Sequence, residues 1–295
     1  MKIIVTGSLG HISKPLTKIL TANSHQVVVI SSNPERIEAI EEIGATAAIG
    51  SLDDVAFLSA TFNGADAVYL MIPPNFKEFN SLEYYKRIAE NYRKAIQTSG
   101  VEQIVFLSSW GAHLDKGTGT ILGSHHAELI LNQLEAVHKT YIRPVSFYYN
   151  LLNYIEMIKN AGIIGSNFKS EDKVAWVHPK DIAQAVSEEI LVKPDEIIKI
   201  RYVASDEKTA TETAHILGKA IDKPNLEWIP FSDAEVKKSL IERGLPEKFA
   251  QDLVAINASI SSGKMGEEYE KNKPEFGNIK LEDYAAEFAK AYHQQ

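Results

Sequence analysis

The chain has 295 residues, 44% of them hydrophobic and 24% charged, a formal net charge of −8 and no cysteine. Acidic charge with no basic run excludes a protein that grips nucleic acid through its phosphates, which needs clustered cations. The missing cysteines exclude disulfides, thiolate nucleophiles and cysteine-ligated zinc.

The length supports a large core in one or two domains. The longest apolar stretches are strand-sized, so no membrane span is expected. Met1-Lys2-Ile3-Ile4-Val5-Thr6 reads as a buried strand and not as a signal peptide. Together with the lack of cysteine this points to a reducing, cytoplasmic setting.

Predicted strands at 2–6, 27–31, 46–50, 67–71 and 104–108 are nearly continuous apolar runs. Such runs suit strands buried on both faces of a parallel sheet. Between and after them, 12–21, 34–43, 55–62, 82–99 and 125–138 carry apolar residues at helical spacing. Alternating strand and helix predicts an α/β fold, a Rossmann-type doubly wound parallel sheet with right-handed crossovers. Strands near 141–144 and 197–203 extend the sheet, with a helix over 179–191 between them. From Asp206 the chain reads as mostly helical, with Trp228 and Pro230 on a short extended piece and a last helix over 281–292. Residues 1–150 are thus expected to form a dinucleotide-binding core. Residues 151–295 form a smaller, mostly helical C-terminal substrate lobe, with roughly 180–203 returning to the sheet.

The first predicted strand runs into Thr6-Gly7-Ser8-Leu9-Gly10-His11-Ile12-Ser13. Gly7 allows a tight turn, Gly10 lets the backbone approach a pyrophosphate, and small Ser13 lets helix pack on strand. The helix N-terminus then offers N–H groups and a positive dipole end to phosphates. Pro15 fits only within the first helical turn, where donors are partly free. Gly7, Ser8, Leu9, Gly10, His11 and Ile12 are therefore cofactor-binding candidates. The same glycines would also serve a plain strand–helix turn.

An NAD site carries an acid about 20 residues beyond the loop, on the ribose hydroxyls. Here that stretch reads Ser31-Ser32-Asn33-Pro34-Glu35-Arg36, with no acid at the strand tip. Ser31, Ser32, Asn33 and Arg36, with His11 nearby, suit a 2′-phosphate, so NADP is expected and NAD is the alternative. The same residues also read as a helix cap.

Further segments follow in order: Gly44-Ala45, Gly50-Ser51-Leu52-Asp53-Asp54, and Gly64-Ala65-Asp66-Ala67-Val68-Tyr69-Leu70-Met71-Ile72-Pro73-Pro74. Then come Gly100-Val101-Glu102-Gln103-Ile104-Val105-Phe106-Leu107-Ser108-Ser109, Arg143-Pro144-Val145-Ser146-Phe147-Tyr148-Tyr149-Asn150 and Val177-His178-Pro179-Lys180-Asp181-Ile182-Ala183. In this order the chain resembles the NmrA-like family of atypical short-chain dehydrogenases/reductases over nearly its whole length. The resemblance implies that Ser51 and Leu52 lie at the adenine. It implies that the turn from Met71 through Ile72, Pro73 and Pro74 passes the cofactor's ribose and pyrophosphate. Ser108, Ser109 and Trp110 would border the nicotinamide, with Pro144 and Phe147 closing that pocket. Two departures stand out. Ser32 occupies a position where many NADP-binding members carry Arg, and Ser51 one where many carry Asp.

Short-chain reductases usually use Tyr-x-x-x-Lys, in which the lysine lowers the tyrosine's pKa. The match Tyr269-Glu270-Lys271-Asn272-Lys273 lies far C-terminal, in a charged segment expected to be exposed, and reads as coincidence. The helix after Ser108-Ser109 carries Gly123-Ser124-His125-His126-Ala127-Glu128-Leu129 instead. His125 and His126 are candidate proton donors. Consecutive helical residues point about 100° apart, so only one can face a nicotinamide. Either can equally be a solvated or structural histidine.

Tyr148 is another candidate donor. Tyr149 offers the same chemistry, and Trp110 and Phe147 can stack on a flat substrate, with Tyr149 in the same substrate pocket; all four can equally be plain core packing. A metal site from His113, His125, His126 and Glu128 is possible on paper, but scattered histidines seldom make one, and no metal is expected. The glycines in 113–123 suggest a mobile lid.

Two functions follow. One is NADPH-dependent reduction of a small-molecule electrophile such as a quinone or conjugated carbonyl, which needs little proton-transfer help. The other is a non-catalytic NADP(H) sensor that acts on a protein partner. The missing Tyr/Lys pair weakens a third, a sugar-nucleotide epimerase. No sequence feature specifies an oligomeric state.

Overall fold

The computed structural model describes residues 1–75, 78 and 80–294. Its strands are β1 Lys2–Val5, β2 Gln26–Ser31, β3 Thr46–Ile49, β4 Ala67–Leu70, β5 Gln103–Leu107, β6 His138–Pro144, β7 Ser146–Phe147, β8 Ile164–Ser166, β9 Lys173–Val177, β10 Ile198–Val203, β11 Asp206–Thr209 and β12 Trp228–Pro230. Its α-helices are α1 Ser13–Ala22, α2 Ile37–Glu41, α3 Val55–Phe62, α4 Ser81–Ser99, α5 Leu122–Leu131, α6 Ile155–Ala161, α7 Pro179–Leu191, α8 Ala210–Ala220, α9 Asp233–Glu242, α10 Glu247–Ser261, α11 Glu267–Lys271 and α12 Leu281–Gln294.

Seven strands form one sheet in the order β10-β6-β5-β4-β1-β2-β3. Pairing is parallel from β3 through β6. The amide of Lys139 donates to Ile197 O and that of Val145 to Val203 O. Both numbers climb together, so β10 is parallel as well. The strand order reverses between β1 and β4, where open α/β sheets bind ligands at their carboxyl ends. The central strands are the apolar runs read from the sequence: Ile3, Ile4, Val5, Val68, Tyr69, Leu70, Val105 and Phe106 are all fully buried.

The chain divides into two compact units. The first comprises Met1–Ala112, Gly123–Arg143 and Ile182–Arg201. Its helix α4 starts where Asn80 accepts from the amide of Glu83 and stops at left-handed Gly100. Tyr84, Ile88, Tyr92 and Ala95 form its buried face, in one cluster with Leu58 and Phe62 of α3.

The second unit comprises His113–Leu122, Pro144–Asp181 and the chain from Tyr202 onward. It holds the small sheets β11-β9-β7 and β12-β8. Its core gathers Tyr148, Leu151, Trp176, Leu217, Trp228, Tyr284 and Phe288. Capping boxes at Thr209–Glu212 and Ser232–Glu235 start α8 and α9.

Three expectations need correction. The helix expected over 125–138 is α5, which begins at Leu122 and ends at Leu131. Leu134 and Val137 keep an apolar spacing, but the chain turns there. The buried ammonium of Lys139 binds the carbonyls of Leu134 and Val137, and the amide of His138, which a helix reaching that residue would give to Leu134 O, donates to Glu102 O instead. The helix over 34–43 is a three-residue 3₁₀ turn, Pro34–Arg36, followed by short α2. The chain after Asp206 is not helical at once, because β11 pairs antiparallel with β9 first. Among the described residues no helix is long and apolar enough to cross a membrane.

Candidate functional site

Gly7 follows β1 with φ +88°, a left-handed conformation that favours glycine. A Cβ there would stand 2.7 Å from Ser13 Oγ and 2.8 Å from Met71 Cγ and Sδ. Ser13 Oγ donates to the carbonyl of Thr6 at 2.9 Å and so ties the start of α1 to the end of β1. Thr6 Oγ1 accepts from the amide of Met71 at 2.8 Å, and the Tyr92 hydroxyl donates to the Met71 carbonyl at 2.7 Å. The loops after β1 and β4 are therefore braced against each other at the switch point.

Gly10 is exposed, and its amide donates to Gly7 O at 3.1 Å. Leu9 is half-buried and Ile12 buried, while His11 is exposed. No acidic side chain stands in the first turn of α1, and Pro15 lies in that turn, as its missing N–H requires. A glycine-lined turn that opens an acid-free helix N-terminus fits a dinucleotide's pyrophosphate.

The tip of β2 divides into two kinds of residue. Ser31 is buried: Ser8 Oγ, in a residue with φ +54°, donates to Ser31 Oγ at 3.0 Å. Ser8 N donates to Ile30 O. Asn33 caps the following turn by accepting from Glu35 N at 2.9 Å. Ser32, Asn33 and Arg36 are exposed. Past β3, exposed Ser51 accepts from Asp53 N at 3.1 Å, and the Leu52 carbonyl accepts from Asn91 at 3.1 Å. Past β4, Ile72 is buried, Pro73 half-buried and Pro74 exposed.

At the carboxyl end of β5 the structure shows what the sequence reading missed. Glu128 of α5 is buried and takes a two-pronged bond from Arg143 of β6, Nε to Oε1 at 3.0 Å and Nη2 to Oε2 at 2.7 Å. Ser108 Oγ donates to the same Oε1 at 2.5 Å. A charged residue inside the apolar run Tyr141-Ile142-Arg143-Pro144-Val145 was the only signal in the sequence. Ser109 is half-buried and accepts from the amide of Ala112 through its carbonyl, and Trp110 between them is buried. His125 Nδ1 lies 2.8 Å from the carbonyl of Ala112, so this nitrogen carries the hydrogen and donates it. His126 stacks edge-on against His125. Burial, then neighbouring Lys86 and His125, pushes its pKa down.

The second unit accounts for the remaining candidates. Pro144 is buried, and Phe147 lies against Tyr149, with ring centroids 5.1 Å apart. Tyr148 is fully buried between Trp176 and Tyr284, and its hydroxyl donates to the carbonyl of Ile279. Burial raises its pKa well above the ordinary tyrosine value, with Asp206 and Asp181 adding to the rise. This placement removes Tyr148 as a proton donor, because its proton is committed to a carbonyl inside a core.

Tyr269 is buried and not exposed as expected. Burial raises its pKa too, and Lys273 pairs with Glu207, so the two do not form an activated Tyr/Lys pair. The loop read as a mobile lid packs closely at Gly119, where an added Cβ would collide with the backbone carbonyl of Asp252 in α10. His113 in that loop has both ring nitrogens buried without a hydrogen-bond partner, Nδ1 lying 3.8 Å from Glu268 Oε2. Among the described residues no three metal-ligating side chains gather.

Comparison with known proteins gives the architecture its relatives. The model of the NmrA-like family matches residues 1–275, and the chain belongs to that family. A curated relative from Streptomyces griseus subsp. griseus, (4-alkanoyl-5-oxo-2,5-dihydrofuran-3-yl)methyl phosphate reductase, is 25% identical over 181 residues, 61% of this chain and 60% of that protein. The chain thus spans about three fifths of that relative's length. The structure resembles Citrobacter sp. triphenylmethane reductase complexed with NADP(H), with TM-score 0.78 and 20% identity over 97% of this chain and 99% of the other. It also resembles an NADPH-dependent quinone oxidoreductase from Escherichia coli, with TM-score 0.78 and 22% identity over 97% and 98% of the two chains. At these identities the two structures show a shared fold.

Proposed function

From its membership of the NmrA-like family, we propose that this chain is an NADPH-dependent reductase of a small conjugated electrophile, a quinone or another conjugated carbonyl. The observation that carries the reading is the cradle at the β1/β4 switch point, where Gly7 leaves no room for a Cβ and α1 opens without an acid. Gly7, Ser8, Leu9, Gly10 and Ile12 would hold the pyrophosphate. His11, Ser32, Asn33 and Arg36 would face the 2′-phosphate, with buried Ser31 bracing the tip. Ser51 and Leu52 would meet the adenine, Met71, Ile72 and Pro73 the ribose, and Ser108, Ser109 and Pro144 the nicotinamide end. An acid-free strand tip favours NADP over NAD. The names of the relatives support the reaction class. One is an NADPH-dependent quinone oxidoreductase, and the curated one reduces an acyl dihydrofuranone, itself a conjugated carbonyl.

NADPH, when bound, supplies a hydride. The chain orients the acceptor, excludes water and returns one proton. His125 is suited to the last task. With Nδ1–H held by the Ala112 carbonyl, the ring orientation is fixed and Nε2 is left to move the proton. His126 is the neighbouring candidate. Trp110, beside the end of β5, is the proposed substrate-contacting aromatic.

The test is turnover: NADPH with a panel of quinones and conjugated carbonyls, followed at the nicotinamide absorbance band. His125→Ala should lower the rate on conjugated carbonyls by about 10²-fold or more and affect quinones less, since a quinol oxygen takes its proton from water. Tight NADPH binding with no turnover across the panel would sink the reductase and leave the NADP(H)-sensing regulator. The absence of Tyr-x-x-x-Lys from α5 favours that second reading.

A further inference from the structure

Ser108 directly follows β5, which lies one strand beyond the β1/β4 switch point. The pyrophosphate of a dinucleotide belongs at the first strand–helix turn and its adenosine ribose at the tip of β2. The other half of the molecule must then lie on the β4/β5 side, so the carboxyl end of β5 is where a nicotinamide reaches.

The hydrogen on Ser108 has a fixed direction. Arg143 is always charged and grips Glu128 through both carboxylate oxygens. An ionised carboxylate only accepts, so the hydroxyl of Ser108 is the donor in its bond to Glu128 Oε1. The serine has one hydrogen to give. What remains on its oxygen is acceptor capacity alone.

We propose that Ser108 acts in this chain as a hydrogen-bond acceptor for the nicotinamide carboxamide N–H, with Glu128 and Arg143 as positioning residues that hold its hydrogen away from the reaction. The inference rests on the reductase reading above. It reverses the role expected of a hydroxyl beside a reacting carbonyl: Ser108 does not polarise the acceptor substrate. It turns the carboxamide, and with it the ring face, toward one orientation. The pair beneath it is built to do this. A lone serine would rotate its hydroxyl to suit either partner, whereas a carboxylate already neutralised by a guanidinium holds it one way.

The probes are NADPH and the reduced 3-acetylpyridine analogue, which keeps the carbonyl and lacks the amide N–H₂. Affinities are read by nicotinamide fluorescence, without substrate, in the wild type and in Ser108→Ala. That variant removes one hydroxyl and leaves the Arg143–Glu128 pair intact. The wild type should prefer NADPH by about tenfold, the scale of one hydrogen bond with its partner left unmet otherwise. In Ser108→Ala the ratio should fall close to one. Equal wild-type affinities, or an unchanged ratio in Ser108→Ala, overturn the proposal even if the enzyme turns over. The wild-type comparison alone decides if the variant does not fold. A wild type that binds both cofactors with the expected preference but reduces nothing supports the acceptor role and defeats the reductase. A wild type that binds neither defeats both.

Discussion

Gly7→Ala tests the cradle most directly. The new Cβ would enter at 2.7 Å from Ser13 Oγ and 2.8 Å from Met71. Met71 can move the end of a flexible side chain. Ser13 cannot move without giving up its bond to the Thr6 carbonyl, since that bond is what brings α1 onto β1. The left-handed φ of +88° adds a penalty of about 1–2 kcal/mol for an L residue. The lost hydrogen bond adds about 1 kcal/mol. A sum of about 2–3 kcal/mol should lower the melting temperature by about 4–10 °C. If the loop shifts to relieve the clash and loses one charge-assisted bond to a phosphate, NADPH affinity drops by about 10–100-fold. Scanning calorimetry and fluorescence titration measure the two losses on one sample. An unchanged melting temperature would refute the packing argument, and unchanged affinity with a lowered melting temperature would detach the loop from the cofactor.

Gly10→Val should behave differently. Its Cβ would meet only Gly7 O at 3.2 Å, so stability changes little while NADPH binding is abolished, and retained affinity by titration contradicts the site. Arg143→Met strands the buried Glu128 carboxylate and should cost about 3–5 kcal/mol in denaturant unfolding. The double change Arg143→Met with Glu128→Leu should recover much of this, and a double variant no better than the single would speak against the pair. His178 is buried, and burial lowers its pKa, partly offset by Glu287. Below about 6.5 the unfolded chain takes up a proton that the folded chain resists. Stability should therefore fall as pH drops through that value and be insensitive to this group above it. Melting curves from pH 8 to 5 should show a shallower slope for His178→Asn, and parallel slopes would count against the assignment.

The fold and the candidate site were not equally legible. β1, β4 and β5 announced themselves because burial on both faces leaves their runs almost wholly apolar. Gly7, Gly10 and Ser13 did so because a strand–helix turn is a local matter, decided within eight residues. Glu128 and Arg143 lie fifteen residues apart and meet only because β5 and β6 are neighbours in the sheet and α5 packs beside them. No local pattern encodes that. Tyr148 is ambiguous in the sequence for a related reason. A tyrosine in an aromatic-rich segment reads equally as a proton donor or as core, and which it is depends on Trp176 and Tyr284, which are distant in sequence. The overlong α5 came from apolar residues that continue at helical spacing after the hydrogen bonding has stopped.

The Ser8–Ser31 bond at the tip of β2 bears on how cofactor preference can be rewritten. Ser31 carries the brace and is buried, while Ser32, beside it, is exposed. On the proposed site, support and selectivity thus sit on adjacent but separate positions. Adding a charge at Ser32 leaves the scaffold of the glycine loop untouched. Ser32→Arg should strengthen the choice of NADPH, and Ser32→Asp should turn it toward NADH, in each case by a single substitution. The same exchange at Ser31 would dismantle the loop before it changed any preference.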